Sequence, residues 1–143
     1  MSIVCIVGFD GTRSAMEEDI KAVTEIQKIL RNYNPALDTI ISGESPEGGV
    51  DIFTRVAALE MGFKFKGYPP NSWHKHWLCD NINCYGYKKR NLDMAKDCTE
   101  LYCLAYERSP ADYDREQHVS WNGGMWTMQE AKKLGKLTHL ITV

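Results

Sequence analysis

The segment WNGGMWTMQEA, residues 121–131, sets two glycines ahead of a helical run in which Thr127 and Glu130 stand three apart. Gly123 and Gly124 at a helix start leave backbone N–H groups aimed at open space. The helix dipole adds partial positive charge there, which suits an anion or a polarised oxygen. Thr127 and Glu130 share one helical face near that end. A hydroxyl in that place can donate to a phosphate, and a carboxylate can accept from sugar hydroxyls or activate a water. A glycine pair alone is a weak pattern, more often met in a tight turn followed by an exposed glutamate.

Other stretches carry chemistry of the same kind. In GYKKRNLDMAKDC, residues 86–98, Arg90 and Asn91 open a predicted helix, and Met94 and Ala95 point toward a sheet. Arginine suits a bidentate grip on phosphate or carboxylate. A basic cluster at a helix start opposes the dipole, a small cost that hints at a partner for the charge. In SGESPEGGVD, Ser42 and Gly43 allow close approach of a ligand, and Asp51 falls in a first helical turn. Glu44 and Glu47 would repel a phosphate, so this loop is expected to face ribose hydroxyls. GFDGTR brings Gly8 and Arg13 to the end of a first strand.

HKHWLCDNINC places His74, His76, Cys79 and Cys84 close together, all zinc-compatible types. The spacing H-x-H-x-x-C-x4-C is not a strong zinc pattern, and no second CxxC accompanies it. The expectation is ordinary loop residues and no bound metal.

The elements that must position these residues follow from apolar periodicity. Short apolar runs at Ser2–Val7, Leu37–Ser42, Phe63–Tyr68, Glu100–Tyr106 and Leu137–Val143 read as strands. Between them, Met16, Ile20, Val23, Ile26 and Leu30 recur at helical spacing, as do Ile52, Phe53, Val56, Ala57 and Met61. Lys88–Asp97 reads as a third helix, and a fourth runs from Gly124 to a stop at Gly135. Residues 71–87 read as irregular and aromatic-rich, and ERSPADYDREQHVSWN as a polar loop. Strands alternating with helices imply right-handed crossovers and a parallel sheet. The predicted fold is α/β, a Rossmann-like single domain over residues 1–143. It would have about five parallel strands in the order 3-2-1-4-5 and helices on both faces. Its ligand crevice lies beyond the carboxyl ends of the strands, the edge at which every candidate stretch, the aromatic loop after the third strand included, is expected to fall.

Composition narrows the partners. The chain is 143 residues long with 43% apolar and 25% charged residues, an ordinary globular composition. A net charge of −2 and the lack of a basic stripe argue against a nucleic-acid footprint. No apolar run approaches the roughly 20 residues of a membrane span. The start lacks a basic leader region, which gives a cytoplasmic expectation. Five cysteines, an odd number, with Cys5 and Cys103 inside apolar runs, fit a reducing compartment.

The order SGE…GGVD, YPP…W, GY…RNLDMA and GGMWTMQEAKKLGK resembles the SLOG superfamily of Rossmann-like proteins, and within it the YspA-like group most, over nearly the whole chain. That superfamily includes the LOG phosphoribohydrolases and the DNA-processing Smf/DprA type. In the LOG enzymes an R-K-x-x-M segment and a P-G-G-x-G-T-x-x-E segment build a nucleoside monophosphate site. Arg90–Met94 matches the first with Asn91 for Lys, and Gly123–Glu130 matches the second with Asn122 for Pro and Trp126 for the third Gly. The resemblance implies Arg90 and Glu130 as a catalytic pair and Gly123, Gly124 and Thr127 as a phosphate cradle. Cleaving a base–ribose bond builds positive charge on the sugar, which a carboxylate can stabilise while orienting water. Arg90 would anchor the phosphate, and Trp73 or Trp126 could stack on the base.

The leading expectation is binding of a nucleotide or nucleotide-derived small molecule, with or without N-glycosidic hydrolysis and with no cofactor. The rival is a non-catalytic sensor or sequestering module. Single-stranded DNA binding of the DprA type is disfavoured by the charge, and a homo-oligomer is open.

Overall fold

Runs such as IVCIV have no polar face to offer water. They satisfy their backbone groups by pairing inside a sheet covered on both sides. A computed structural model describes residues 1–70, 85–107, 113–114, 119–120 and 122–143. Its elements are β1 (Ile3–Gly8), α1 (Met16–Leu30), β2 (Thr39–Gly43), α2 (Val50–Glu60), β3 (Lys64–Tyr68), α3 (Tyr85–Asp97) and β4 (Glu100–Ala105). They continue with β5 (Tyr113–Asp114), β6 (Val119–Ser120), α4 (Gly123–Lys133) and β7 (Leu137–Thr142). The main sheet has five strands in the order β3-β2-β1-β4-β7, all parallel. This is the expected 3-2-1-4-5 arrangement, an α/β Rossmann-like fold.

β1 lies at the centre, with Cys5 level with Ile41 on one side and Leu101 on the other. Its side chains alternate between two cores. Val4 and Ile6 join Ile26, Leu30, Val50 and Ala58 under α1 and α2. Cys5 and Val7 join Met94, Ala95, Met125 and Met128 under α3 and α4. Met94 and Ala95 thus face the sheet as the sequence predicts. Each large aliphatic side chain so buried contributes about 1.5–3 kcal/mol.

Several expected boundaries and faces shift. On α1 the buried residues are Ala22, Ile26, Ile29 and Leu30, while Met16 and Ile20 are 77% and 61% exposed. The small Ala22 lets the helix settle closely, and the acidic first turn of Glu17, Glu18 and Asp19 favours water and the dipole. On α2 the inward face is Val50, Thr54, Ala57 and Ala58, leaving Ile52 and Val56 exposed. Small residues at that spacing bring α1 and α2 together better than the larger ones would. α3 begins at Tyr85, so residues 85–87 are helical and Arg90 sits in the second turn rather than opening the helix. The polar loop holds an antiparallel pair, with Tyr113 opposite Ser120. Helices α2 and α4 end ahead of Gly62 and Gly135, both at positive φ, as the glycine stops require. Among the described residues no helix is long and apolar enough to cross a membrane. Trp73, His74, His76, Cys79 and Cys84 lie outside the described residues.

Candidate functional site

Parallel strands deliver their carboxyl ends to one edge, so the loops after β1, β2 and β3 and the start of α4 share it. The strand order reverses between β1 and β4, which is where a crevice opens in this architecture. The start of α4 stands on that point. A Cβ on Gly124 would lie 2.7 Å from the Gly8 nitrogen and 2.9 Å from its Cα, so the helix rests on the end of β1 backbone to backbone. One function of Gly124 is therefore close packing, while Gly123 beside it is only partly buried. Asn122 caps the helix: its Oδ1 accepts from Gly124 N–H at 2.8 Å and its Nδ2 donates to the Leu104 carbonyl at 3.3 Å. Asn122 thereby ties α4 to β4, and the signal for it was an asparagine directly before a helix start.

The first two loops are locked together. Gly11 N–H donates to the Glu47 carbonyl at 3.2 Å and Val50 N–H to the Phe9 carbonyl at 3.0 Å. Gly49, at φ 73°, lies so close to Phe9 and Asp10 that a side chain there would strike their backbone. Arg13, at the far end of the first loop, is exposed, and so is Glu44, whose carboxylate lies against Gly67.

Arg90 comes up from α3 against the ends of β2 and β3 and is 7% exposed. Its Nη1 donates to the Tyr68 carbonyl at 2.9 Å, its Nε to Asn91 Oδ1 at 2.7 Å and its Nη2 to Ser45 Oγ at 3.3 Å. A Cβ on Gly43 would stand 2.5 Å from Nη1 and 2.6 Å from Asp51 Oδ2, so guanidinium and carboxylate converge over that glycine. Asp51 also accepts from Ser45 N–H at 3.2 Å, and its Oδ1 lies 3.2 Å from the Ser42 hydroxyl, which donates to the Ile6 carbonyl at 2.6 Å. Ser42 is fully buried and turned inward. Arg90, Asn91, Ser42, Gly43, Ser45 and Asp51 thus form one connected group. Asp51, which first-turn preference alone would explain, is its centre.

On α4, Thr127 is fully buried and its hydroxyl donates to the Gly123 carbonyl one turn back at 3.3 Å. Glu130, three residues on along the same helix face, pairs with Lys133 at 3.0 Å with its side chain 20% exposed. Trp126 is partly buried. Beneath the site the Cys5 thiol is pushed well above its ordinary value, by burial first and then by Cys98, Asp51 and Cys103, against Arg90. Burial alone pushes Cys103 to about 12. Both thiols are fully buried. Among the described residues no group of His, Cys, Asp and Glu side chains could hold a metal ion.

No protein-family model matches the chain. No curated protein sequence matches it either. Solved structures do. The X-ray structure of TM1055, a structural-genomics target, has a TM-score of 0.62 at 16% identity, over 96% of this chain and 72% of its own. The molybdenum cofactor carrier protein of Chlamydomonas reinhardtii gives a TM-score of 0.59 at 17% identity, over 100% of this chain and 79% of its own. A second structure of that carrier gives 0.57 at 15%, over 99% and 77%. At these identities the likeness shows a shared Rossmann-like fold.

Proposed function

We propose that the chain, as a single unit, binds a nucleotide or nucleotide-derived small molecule in the crevice at the carboxyl edge of the sheet, and that it is a member of the SLOG superfamily. The observation that carries this reading is the start of α4, standing on the end of β1 where the strand order reverses. Gly8 packs against Gly124 there, and a helix N-terminus favours an anionic group. The loop of Ser42–Glu44 and Arg90 supplies the neighbouring wall. The shared fold with a cofactor carrier is in keeping with a small-molecule role.

Within that reading, holding the ligand without turnover has the better support. Arg90 donates to Tyr68, Asn91 and Ser45, and the Glu130 carboxylate is engaged with Lys133. Hydrolysis of an N-glycosidic bond would require Glu130 to leave that ion pair and orient a water. A thermal-shift screen against nucleoside mono-, di- and triphosphates and NAD-derived compounds, with free base measured in the same samples, separates the two. Stabilisation without base release supports a carrier or sensor. Base release that Glu130→Gln abolishes while ligand still stabilises makes the chain a phosphoribohydrolase. No stabilisation by any compound would remove the nucleotide reading.

A further inference from the structure

Arg90 is 7% exposed, and the acceptors that its nitrogens reach at Tyr68, Asn91 and Ser45 are neutral. A guanidinium buried this far needs a carboxylate as well as hydrogen bonds. Asp51 supplies it. Arg90 Nη1 and Asp51 Oδ2 lie 2.5 and 2.6 Å from the place that a Cβ on Gly43 would take, and glycine leaves that place to them. Glu44, the nearest acid in the chain after Gly43, is exposed with its carboxylate against Gly67.

The same two residues hold the turn after β2. Ser45 N–H donates to Asp51 Oδ2 at 3.2 Å, while Ser45 Oγ accepts from Arg90 Nη2. The Tyr68 carbonyl takes Glu44 N–H at 3.0 Å as well as Arg90 Nη1. Beyond Ser45 the bonds run on to the loop after β1. Gly48 N–H donates to the Ser45 carbonyl at 3.1 Å and Gly11 N–H to the Glu47 carbonyl at 3.2 Å. Bonds to a charged group are about twice as strong as neutral ones, so Asp51 and Arg90 restrain these loops more firmly than the peptide bonds around them.

We propose that Asp51 is a positioning residue, which neutralises Arg90 and fixes it against the Ser42–Ser45 turn, so that this wall of the crevice receives the uncharged part of a ligand and not its phosphate. This role rests on the nucleotide reading above and departs from the one that the sequence resemblance implies, in which Arg90 anchors the phosphate. A guanidinium already neutralised has little field left for a second anion, and a phosphate brought to it would meet the Asp51 carboxylate. The phosphate then falls to the start of α4.

Isothermal titration of the full chain with AMP and with adenosine tests it, on the wild type, Arg90→Gln, Asp51→Asn and the double variant. Loosening the wall should weaken both compounds alike, by about tenfold, as expected for one charged hydrogen bond. The ratio of the two affinities should stay as in the wild type. The double variant should bind no more weakly than Arg90→Gln, because Asp51 acts through Arg90. A loss confined to AMP in Arg90→Gln, a gain for AMP in Asp51→Asn, or losses that add in the double variant would each overturn the proposal. The nearly isosteric Asp51→Asn also carries a readout without ligand, should Arg90→Gln fail to fold. The Arg90 Nε–Hε cross-peak should be sharp and slow to exchange in the wild type, and broad or fast in Asp51→Asn. Ala22→Gly, which loosens the core under α1, should leave that cross-peak unchanged. A wild type that binds neither compound removes the nucleotide reading, and the cross-peak then decides alone: a change in Asp51→Asn supports the positioning role, and no change overturns it.

Discussion

At the scale of single residues, the close approach of Gly124 to Gly8 makes a sharp demand. A methyl group at Gly124 would meet backbone atoms 2.7 and 2.9 Å away, and backbone cannot swing aside as a side chain would. Gly124→Ala should therefore destabilise by roughly 1–3 kcal/mol, the usual cost of overpacking, although alanine has the higher helix propensity. A denaturant midpoint unchanged or raised would show that α4 does not rest on β1 this way. The thiols make a second demand. Cys5 and Cys103 are fully buried, and burial keeps both protonated at neutral pH. Peptide mapping after iodoacetamide treatment should find both unmodified in the native chain and modified in denaturant. Labelling under native conditions would contradict the packing beneath α3 and α4.

At the scale of elements, β4 and β7 are joined by a cluster whose titration should show in stability. Tyr33 donates to Glu100 Oε2 at 2.5 Å, and the Tyr102 hydroxyl lies 2.7 Å from that of Tyr33. Burial alone would raise the Glu100 carboxyl, but hydrogen bonds from Tyr33 and His139 outweigh it and hold the group below its ordinary 4.5. A carboxyl lowered on folding stabilises above its unfolded value, and that contribution is lost as pH falls through the folded value. Tyr33 is shifted the other way, well above 10.0, first by burial and then by its bonds to Glu100 and Tyr102. Its contribution is present below the unfolded value and is lost as pH rises through the folded one. Stability measured by urea unfolding should thus fall off in acid and in strong alkali. Glu100→Gln should flatten the acid limb, and an unchanged acid limb would show that other carboxyls govern it. The same elements show what the sequence could and could not disclose. The strand order was legible because unbroken apolar runs such as IVCIV must lie inside a parallel sheet. The inward faces of α1 and α2 were legible only in part: Ile26, Leu30 and Ala57 are buried as the periodicity predicts. Large Met16, Ile20, Ile52 and Val56 outweigh Ala22 and Thr54 on any scale of hydrophobicity, yet close helix contact favours the small ones. At the site, Arg90 and the glycines were visible as motifs, while Asp51 was not, since a carboxylate in a first helical turn needs no further reason.

At the scale of the whole molecule, charge and architecture together select the size of partner. The net charge is −2, and among the described residues the arginines of the strand-end loops and α3 at this edge are Arg90, whose donors reach Tyr68, Asn91 and Ser45, and exposed Arg13. A single-stranded nucleic acid gains affinity by releasing a counterion at each neutralised phosphate. The slope of log K against log salt is then about −0.7 for every phosphate held. A track of phosphates would need more basic sequence than Lys88–Arg90, the longest basic run in the chain, whereas one terminal phosphate at the start of α4 needs only a single local contact. Affinity for a stabilising nucleotide should accordingly fall with salt at a slope of about −1 or shallower. At a ligand concentration of 100 times the Kd for each salt concentration, stability should rise by about 2.7 kcal/mol, because the shift depends only on that ratio. Isothermal titration in a salt series, run beside anisotropy with a labelled oligonucleotide, gives both slopes. A nucleotide slope near −1 with no oligonucleotide binding at physiological salt fits a crevice built for one small ligand. A steep oligonucleotide slope with tight binding at low salt would mean that the carboxyl edge serves as a strand-binding groove, with the glycines at α4 clearing the path of a backbone instead of seating a single phosphate.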